Sequence, residues 1–170
     1  MTYPFQKIMI FGRPGSGKST FAVQLAQDLS IPVYHIDKIF FEQAWIKRER
    51  SEFLVLKQKW IDNECWIIDG NAMSVLESRF SQADVALYFN FPWYICLYRI
   101  VKRLWSRDKR IDDRAPNSPE RITWDLVKYM LNFRAKYNTN IENLAQKFPK
   151  VMFREIRNAQ DLMAVRQEFK

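Results

Sequence analysis

The sequence predicts an α/β domain built on a five-stranded parallel sheet with helices on both faces. Two observations carry this. Five short, mostly apolar runs, at 7–11, 33–36, 65–68, 84–90 and 151–153, are separated by segments of helical periodicity. Strands alternating with helices form parallel βαβ units rather than hairpins, and parallel strands read as continuous apolar runs because both faces are covered. A third observation is length: 170 residues suit a single domain, read as one unit over 1–170 with a short lid at about 107–120.

The elements follow in order. Residues 7–11 form a buried strand that ends at Gly12. Residues 20–29 are helical, with Phe21, Leu25 and Leu29 one turn apart. Ser30-Ile31-Pro32 ends that helix, and 33–36 are the second strand. Residues 48–61 place Phe53, Leu56 and Trp60 on one helical face. The third strand, 65–68, runs into Asp69-Gly70, and a short helix spans 72–80. After the fourth strand, Pro92 suits the first turn of a long helix reaching about 106. The charged stretch 107–120, with Pro116 and Pro119, reads as a surface insert. Residues 122–133 and 141–147 read as two helices, 151–153 as the last strand and 159–169 as a closing helix.

Composition excludes several classes. Apolar residues are 48% and charged residues 27%, as in an ordinary globule and unlike disordered or fibrous chains. No apolar run approaches the roughly 20 residues of a membrane span, and the first residues lack a secretory stretch, so the expectation is a cytoplasmic protein without membrane association. Cys65 and Cys96 lie in apolar segments and are expected as reduced thiols; the one His35 cannot build a histidine-rich metal site. The net charge of +8 favours phosphates, nucleic acid or acidic surfaces without choosing among them. A monomer and a homodimer are both open.

Glycine is the informative count. There are four, at 12, 15, 17 and 70. Three lie in Gly12-Arg13-Pro14-Gly15-Ser16-Gly17-Lys18-Ser19, which fits G-x-x-x-x-G-K-[ST], the Walker A phosphate loop. Its glycines let backbone N–H groups turn inward around a phosphate, and the helix that follows, with Thr20 in its first turn, favours anions. The pattern assigns these residues to ATP, Lys18 to the β- and γ-phosphates and Ser19 to Mg²⁺. Asp69, at the end of a buried strand, is a second metal candidate, with a helix or turn cap as the other reading. Gly70 allows close approach of a substrate. Asp37 faces substrate or metal at a strand end, or caps a local turn. His35 packs, or acts as a base.

Arg99, Arg103, Arg107 and Arg110 are spaced four, four and three apart, one face of a helix. Guanidinium groups suit bidentate phosphate binding and a transferring phosphoryl group. A solvated face and a nucleic-acid groove are the other readings.

These residues resemble the nucleoside monophosphate kinases, adenylate kinase in particular. The similarity is greatest to the adenylate-kinase-related group of DNA topology modulation proteins (FlaR-related). It rests on the phosphate loop, Val33-Tyr34-His35-Ile36-Asp37, Trp45, Trp66-Ile67-Ile68-Asp69-Gly70-Asn71, Arg79, Ala83-Asp84, Tyr98-Arg99-Ile100-Val101-Lys102-Arg103 and Arg110-Ile111-Asp112-Asp113. The resemblance implies a P-loop NTPase three-layer fold with a short arginine-rich lid. It also implies a kinase that passes the γ-phosphoryl of Mg·ATP to a small acceptor, a nucleotide or related metabolite. Lys18, Arg103 and Arg110 would neutralise the transferring group, with Arg107 beside them in the row. Arg99 would lie against adenine and Arg121 would assist at the phosphates. Asp37, Gly70, Asn71 and Arg79 would face the acceptor. Asn71-Ala72-Met73 stands where adenylate kinases carry Phe-Pro-Arg, so the resemblance does not extend to AMP as that acceptor. The rival function is an ATP-dependent nucleic-acid-binding protein affecting DNA topology.

Overall fold

The computed structural model describes residues 5–105, 115–117 and 122–169. Among them, β1 (Lys7–Gly12), β2 (Val33–His35), β3 (Trp66–Asp69), β4 (Val85–Phe89) and β5 (Met152–Ile156) form one sheet in the order β2-β3-β1-β4-β5. Every pairing is parallel. The chain fills the β3 side of β1 first and then crosses to the β4 side. The carboxyl end of β1 is therefore the point where strand order reverses, the usual crevice for ligands in open α/β sheets. The register sets Ile10 beside Asp69 and Gly12 beside Phe89.

The helices are α1 (Lys18–Leu29), α2 (Asp37–Phe40), α3 (Arg50–Ile61), α4 (Leu76–Phe80), α5 (Trp93–Trp105), α6 (Trp124–Lys147) and α7 (Ala159–Gln167). A 3₁₀ turn, Met73–Val75, leads into α4. Side chains alternate across the sheet. Ile8, Ile10, Leu87 and Phe89 pack against Phe21 and Leu25 of α1, Ile100 of α5 and Val165 of α7. Met9, Phe11, Ile68 and Tyr88 pack against Phe53 of α3, Phe80 of α4 and Phe133 and Ile141 of α6. Both faces are dry, which is why the strands are apolar throughout; each fully buried side chain of this kind stabilises by about 1.5–3 kcal/mol.

Three elements differ from the sequence expectation. The two helices expected at 122–133 and 141–147 are one helix, α6. The polar run 134–140 does not break it because Phe133, Tyr137, Ile141 and Leu144 continue one stripe onto the core. Asn138 also spans a turn to Glu142 at 2.6 Å. That burial outweighs the weak helix propensity of Asn and Thr, under about 0.7 kcal/mol each. Strand β5 runs to Ile156, and as an edge strand it tolerates Arg154 and Glu155. Helix α2 is a single added turn. Arg107, Arg110 and Arg121, and most of the segment read as a lid, lie outside the described residues. Of that segment, Ala115 is buried and the Pro116 carbonyl accepts from the Ala44 N–H at 3.3 Å.

Candidate phosphate and metal site

The loop between β1 and α1 is tied down on three sides. From β4, the Phe89 carbonyl accepts the Arg13 N–H at 3.0 Å, and Arg13 Nη1 donates to the Phe91 carbonyl at 2.8 Å. From the end of β3, Asn71 Oδ1 accepts the Gly12 N–H at 2.9 Å. From α5, Arg99 Nη1 donates to the Ser16 carbonyl at 2.7 Å while its guanidinium sits 4.6 Å over the Phe91 ring. Gly15, at φ +75°, packs so closely on α5 that a Cβ would lie 2.5 Å from the Cys96 carbonyl oxygen. Pro14 adds a fixed φ to the same turn. A loop held this way keeps its shape before any ligand arrives.

Helix α1 begins at Lys18, with Gly17 as a left-handed cap, no capping side chain and no acid in its first turn. Lys18, Ser19 and Thr20 therefore sit among N–H groups that have no intrahelical partner, the arrangement that seats an anion.

Asp69 closes β3 and is only 2% exposed. Strand register brings it opposite His35, the last residue of β2, and their Nδ1 and Oδ2 atoms are 3.0 Å apart. Burial pushes the Asp69 carboxyl up. The His35 hydrogen bond, the nearby Lys18 charge and the Ser19 hydroxyl outweigh that and hold it below its ordinary value. It is therefore ionised at neutral pH, and His35 Nδ1–H is the donor. Oδ1 has no hydrogen-bond partner among the described residues. A buried carboxylate oxygen left open beside a serine hydroxyl, at the mouth of a glycine-lined loop, fits a hard cation such as Mg²⁺. The buried Ser16 hydroxyl, without a partner among the described residues, faces the same requirement for a polar ligand.

Behind this pair lies Arg79 of α4, fully buried. Its Nη1 donates to the Gly70 carbonyl at 2.9 Å. Burial pulls the guanidinium down to about 10, against the opposing charges of Asp69 and Asp37. It remains charged and steadies both carboxylates. Arg79, expected at the acceptor, thus stands behind the site wall rather than on its surface. Asp37 is half-buried at the start of α2. Asn71, also expected at the acceptor, spends its Oδ1 on the phosphate loop and hydrogen-bonds the Tyr129 hydroxyl of α6, whose acidity is suppressed chiefly by burial. Gly70 is glycine for a local reason: at φ +130° a Cβ would meet Ile36 Cγ2 at 2.1 Å.

Arg99 and Arg103 share α5, and Arg99 is engaged with the loop and Phe91. The sequence reading missed His35 as the partner of Asp69, Asn71 as a brace, and the buried role of the Arg13 side chain. The His35–Asp69 pair had one visible signal: two apolar strands each ending in a polar residue. Cys65 and Cys96 are free thiols. No helix among the described residues is long and apolar enough to cross a membrane.

The fold has close counterparts. A shikimate kinase from Acinetobacter baumannii, solved in complex with shikimate, superposes with a TM-score of 0.64 at 16% identity, covering 98% of this chain and 96% of that one. A shikimate kinase from Bacteroides thetaiotaomicron gives a TM-score of 0.55 at 12% identity, covering 96% and 95%. These likenesses show one shared fold, a five-stranded parallel sheet with helices on both faces, over essentially the whole chain. No protein-family model matches the sequence, and no curated protein matches it.

Proposed function

We propose that the protein is an ATP-dependent phosphotransferase of the adenylate-kinase-like group, working in the cytoplasm, whose acceptor is a small molecule such as a nucleotide or related metabolite. The observation that carries this reading is the junction of Ser19 and Asp69 at the mouth of a braced phosphate loop, with one buried carboxylate oxygen unspent. When bound, Mg·ATP supplies the transferable phosphoryl group and a metal charge on its phosphate oxygens.

The chain's own residues then have separate tasks. The loop N–H groups and Lys18 neutralise phosphate charge from positions fixed beforehand, so little reorganisation is needed as charge develops. Ser19 and Asp69 hold the metal, and His35 fixes the Asp69 rotamer. Asp37, at the carboxyl end of β2, orients an acceptor hydroxyl and takes its proton. Arg79 sets a buried positive charge behind Asp37 and Asp69. Arg103, Arg107 and Arg110, with Arg121, supply charge over the transferring group, and Arg99 couples α5 to the loop. The resemblance to DNA topology modulation proteins supports the adenylate-kinase-like placing. The shikimate kinase neighbours, one of them holding a small hydroxy acid, support a small hydroxyl-bearing acceptor.

The test is product profiling with γ-labelled ATP and Mg²⁺ against a panel of nucleoside monophosphates, small hydroxy acids and single-stranded DNA. Label transfer to one class of small acceptor, lost in Lys18→Ala, is the expected result. Label found only in free phosphate, with salt-sensitive DNA binding undisturbed by Lys18→Ala, would replace this reading by the nucleic-acid one.

A further inference from the structure

A second pocket of about 740 Å³ opens between the connection from β4 to α5, the connection from β5 to α7, and the middle of α6. Its size lies within the roughly 300–1,000 Å³ that seat small molecules. None of Lys18, Ser19, Asp37, Asp69 or Arg99 lines it. Its charged lining consists of three arginines from three separate places in the chain: Arg13 of the phosphate loop, Arg134 of α6 and Arg157 after β5. No Asp or Glu among the described residues lines it. Trp93, 45% exposed, gives it one aromatic wall.

Three carboxylates, Glu155, Glu142 and Asp161, act on this neighbourhood, and each accepts a hydrogen bond, Asp161 from the Arg157 N–H at 2.8 Å. Glu155 accepts from Asn90 Nδ2 at 2.7 Å and pairs with Arg157. Glu142 accepts from Asn138 at 2.6 Å. Arg134 makes no ion pair or hydrogen bond among the described residues. Arg13 is 5% exposed. Its Nη1 is held by the Phe91 carbonyl, and its Nε has no partner among the described residues. The Tyr88 hydroxyl is also buried without a partner. Burial first, then Glu155 and more weakly Glu142, pushes that phenol up to about 12, and Arg13 and Arg134 oppose the shift, which places all five groups in one electrostatic neighbourhood. A guanidinium buried with an unspent donor carries a desolvation cost, and an anion in the pocket offsets it. Planar guanidinium forks from several sides match the tetrahedral oxygens of a phosphate. A volume of about 740 Å³ suits a small molecule.

We infer that this pocket is a second ligand site, beside the nucleotide loop and sharing Arg13 with it, that takes a small phosphate ester between Arg134 and Arg157 with Arg13 at its inner end. The site goes beyond the phosphotransferase reading and does not depend on it. Because Arg13 is also the second residue of the phosphate loop, a ligand here contacts that loop from the α6 side, away from α1.

The experiment is a calorimetric titration of the whole protein with glycerol 3-phosphate. It is run with and without a saturating non-hydrolysable ATP analogue and Mg²⁺, which occupy the phosphate loop. One site is expected in both conditions. Arg134→Ala and Arg157→Ala each weaken it roughly tenfold or more, the loss of one charge-assisted contact. Lys18→Ala and the control Lys128→Ala, an exposed residue of α6, leave it unchanged. Thermal melts of each variant confirm folding, and Arg134 is exposed, so its loss opens no core. Binding that disappears under the ATP analogue or in Lys18→Ala overturns the proposal in favour of the phosphate loop. Equal weakening by Lys128→Ala overturns it in favour of general surface charge. No binding up to about 10 mM, a standard free energy weaker than roughly −3 kcal/mol, overturns it outright.

Discussion

Asp69→Asn separates a metal-holding carboxylate from a structural one. Asn keeps the shape of a side chain that is 2% exposed, so no cavity forms. It removes the negative charge that His35 meets at 3.0 Å and that Lys18 and Ser19 also favour. Two consequences follow at different places. The metal loses a charged oxygen donor, and the Mg²⁺ concentration for half-maximal ATP turnover should rise roughly 10- to 100-fold, the range for loss of a supporting carboxylate. The fold loses a charge-assisted hydrogen bond, on the order of 1.5–3 kcal/mol; in a chain of this size that is about 3–12 °C in Tm. The pH dependence has a definite sign. The folded carboxyl lies below its ordinary value, so its contribution is complete above the unfolded pKa near ~3.9 and is lost as pH falls through the lower folded value. The Tm gap between wild type and variant should therefore be full at neutral pH and close under stronger acid. The assays are a Mg²⁺ titration of turnover and melts across that pH range. An unchanged Mg²⁺ requirement, alongside a lower Tm, would refute the metal role and leave Asp69 as a partner for His35 alone.

Lys18→Ala should abolish phosphoryl transfer with Tm within about 2 °C of wild type, since Ala is the best helix former at the first position of α1; kcat should fall further than ATP affinity, and a preserved kcat would remove the kinase reading. Gly70→Ala should destabilise by about 3 kcal/mol or more, because the new Cβ overlaps Ile36 Cγ2 and φ is +130°. The double variant with Ile36→Ala should recover only the steric part, and melts of both against wild type check this. Arg103→Ala should cost roughly 10²-fold in kcat, with partial recovery in Arg103→Lys because an ammonium lacks the planar fork. A uniform small loss of DNA affinity with normal turnover would contradict it.

What could be read beforehand was whatever is local. The phosphate loop is contiguous, so its spacing shows in eight residues. The strands show because each is apolar on both faces. The site around Asp69 is not contiguous: His35 and Asp69 are 34 positions apart and meet only through the parallel register of β2 and β3. Nor does spacing reveal that Asn71 turns back to Gly12 or that Arg13 turns away from the loop to Phe91. Helix α6 was misread for the opposite reason. Its local composition argues for a break, and only the core beneath Tyr137 and Ile141 reverses that.

The two halves of the site are stabilised by different means. On the ATP side, Gly15 in the loop and Gly70 after β3 sit where any Cβ collides with backbone or with Ile36, so neither position tolerates a side chain. In the segment the proposed function gives to the acceptor, the chain from 41 to 47 turns through Ala44 and Trp45 at φ 50° and 64°. Non-glycine residues held there cost on the order of 1 kcal/mol each. That strain is held by neighbouring contacts: the Phe41–Lys47 bridge, the edge-on Phe41–Trp45 pair at 5.2 Å and Arg48 Nε on the Ile39 carbonyl at 2.9 Å. Each of these contacts is made by replaceable side chains or by a short turn. A phosphate chain is the same in every nucleotide triphosphate and can be met by fixed backbone, whereas an acceptor must be distinguished from its relatives by side chains. Under the proposed function, the segment from Asp37 to Arg48 is the expected place of acceptor choice, and substitutions there should alter which molecule is phosphorylated while leaving the ATP side intact.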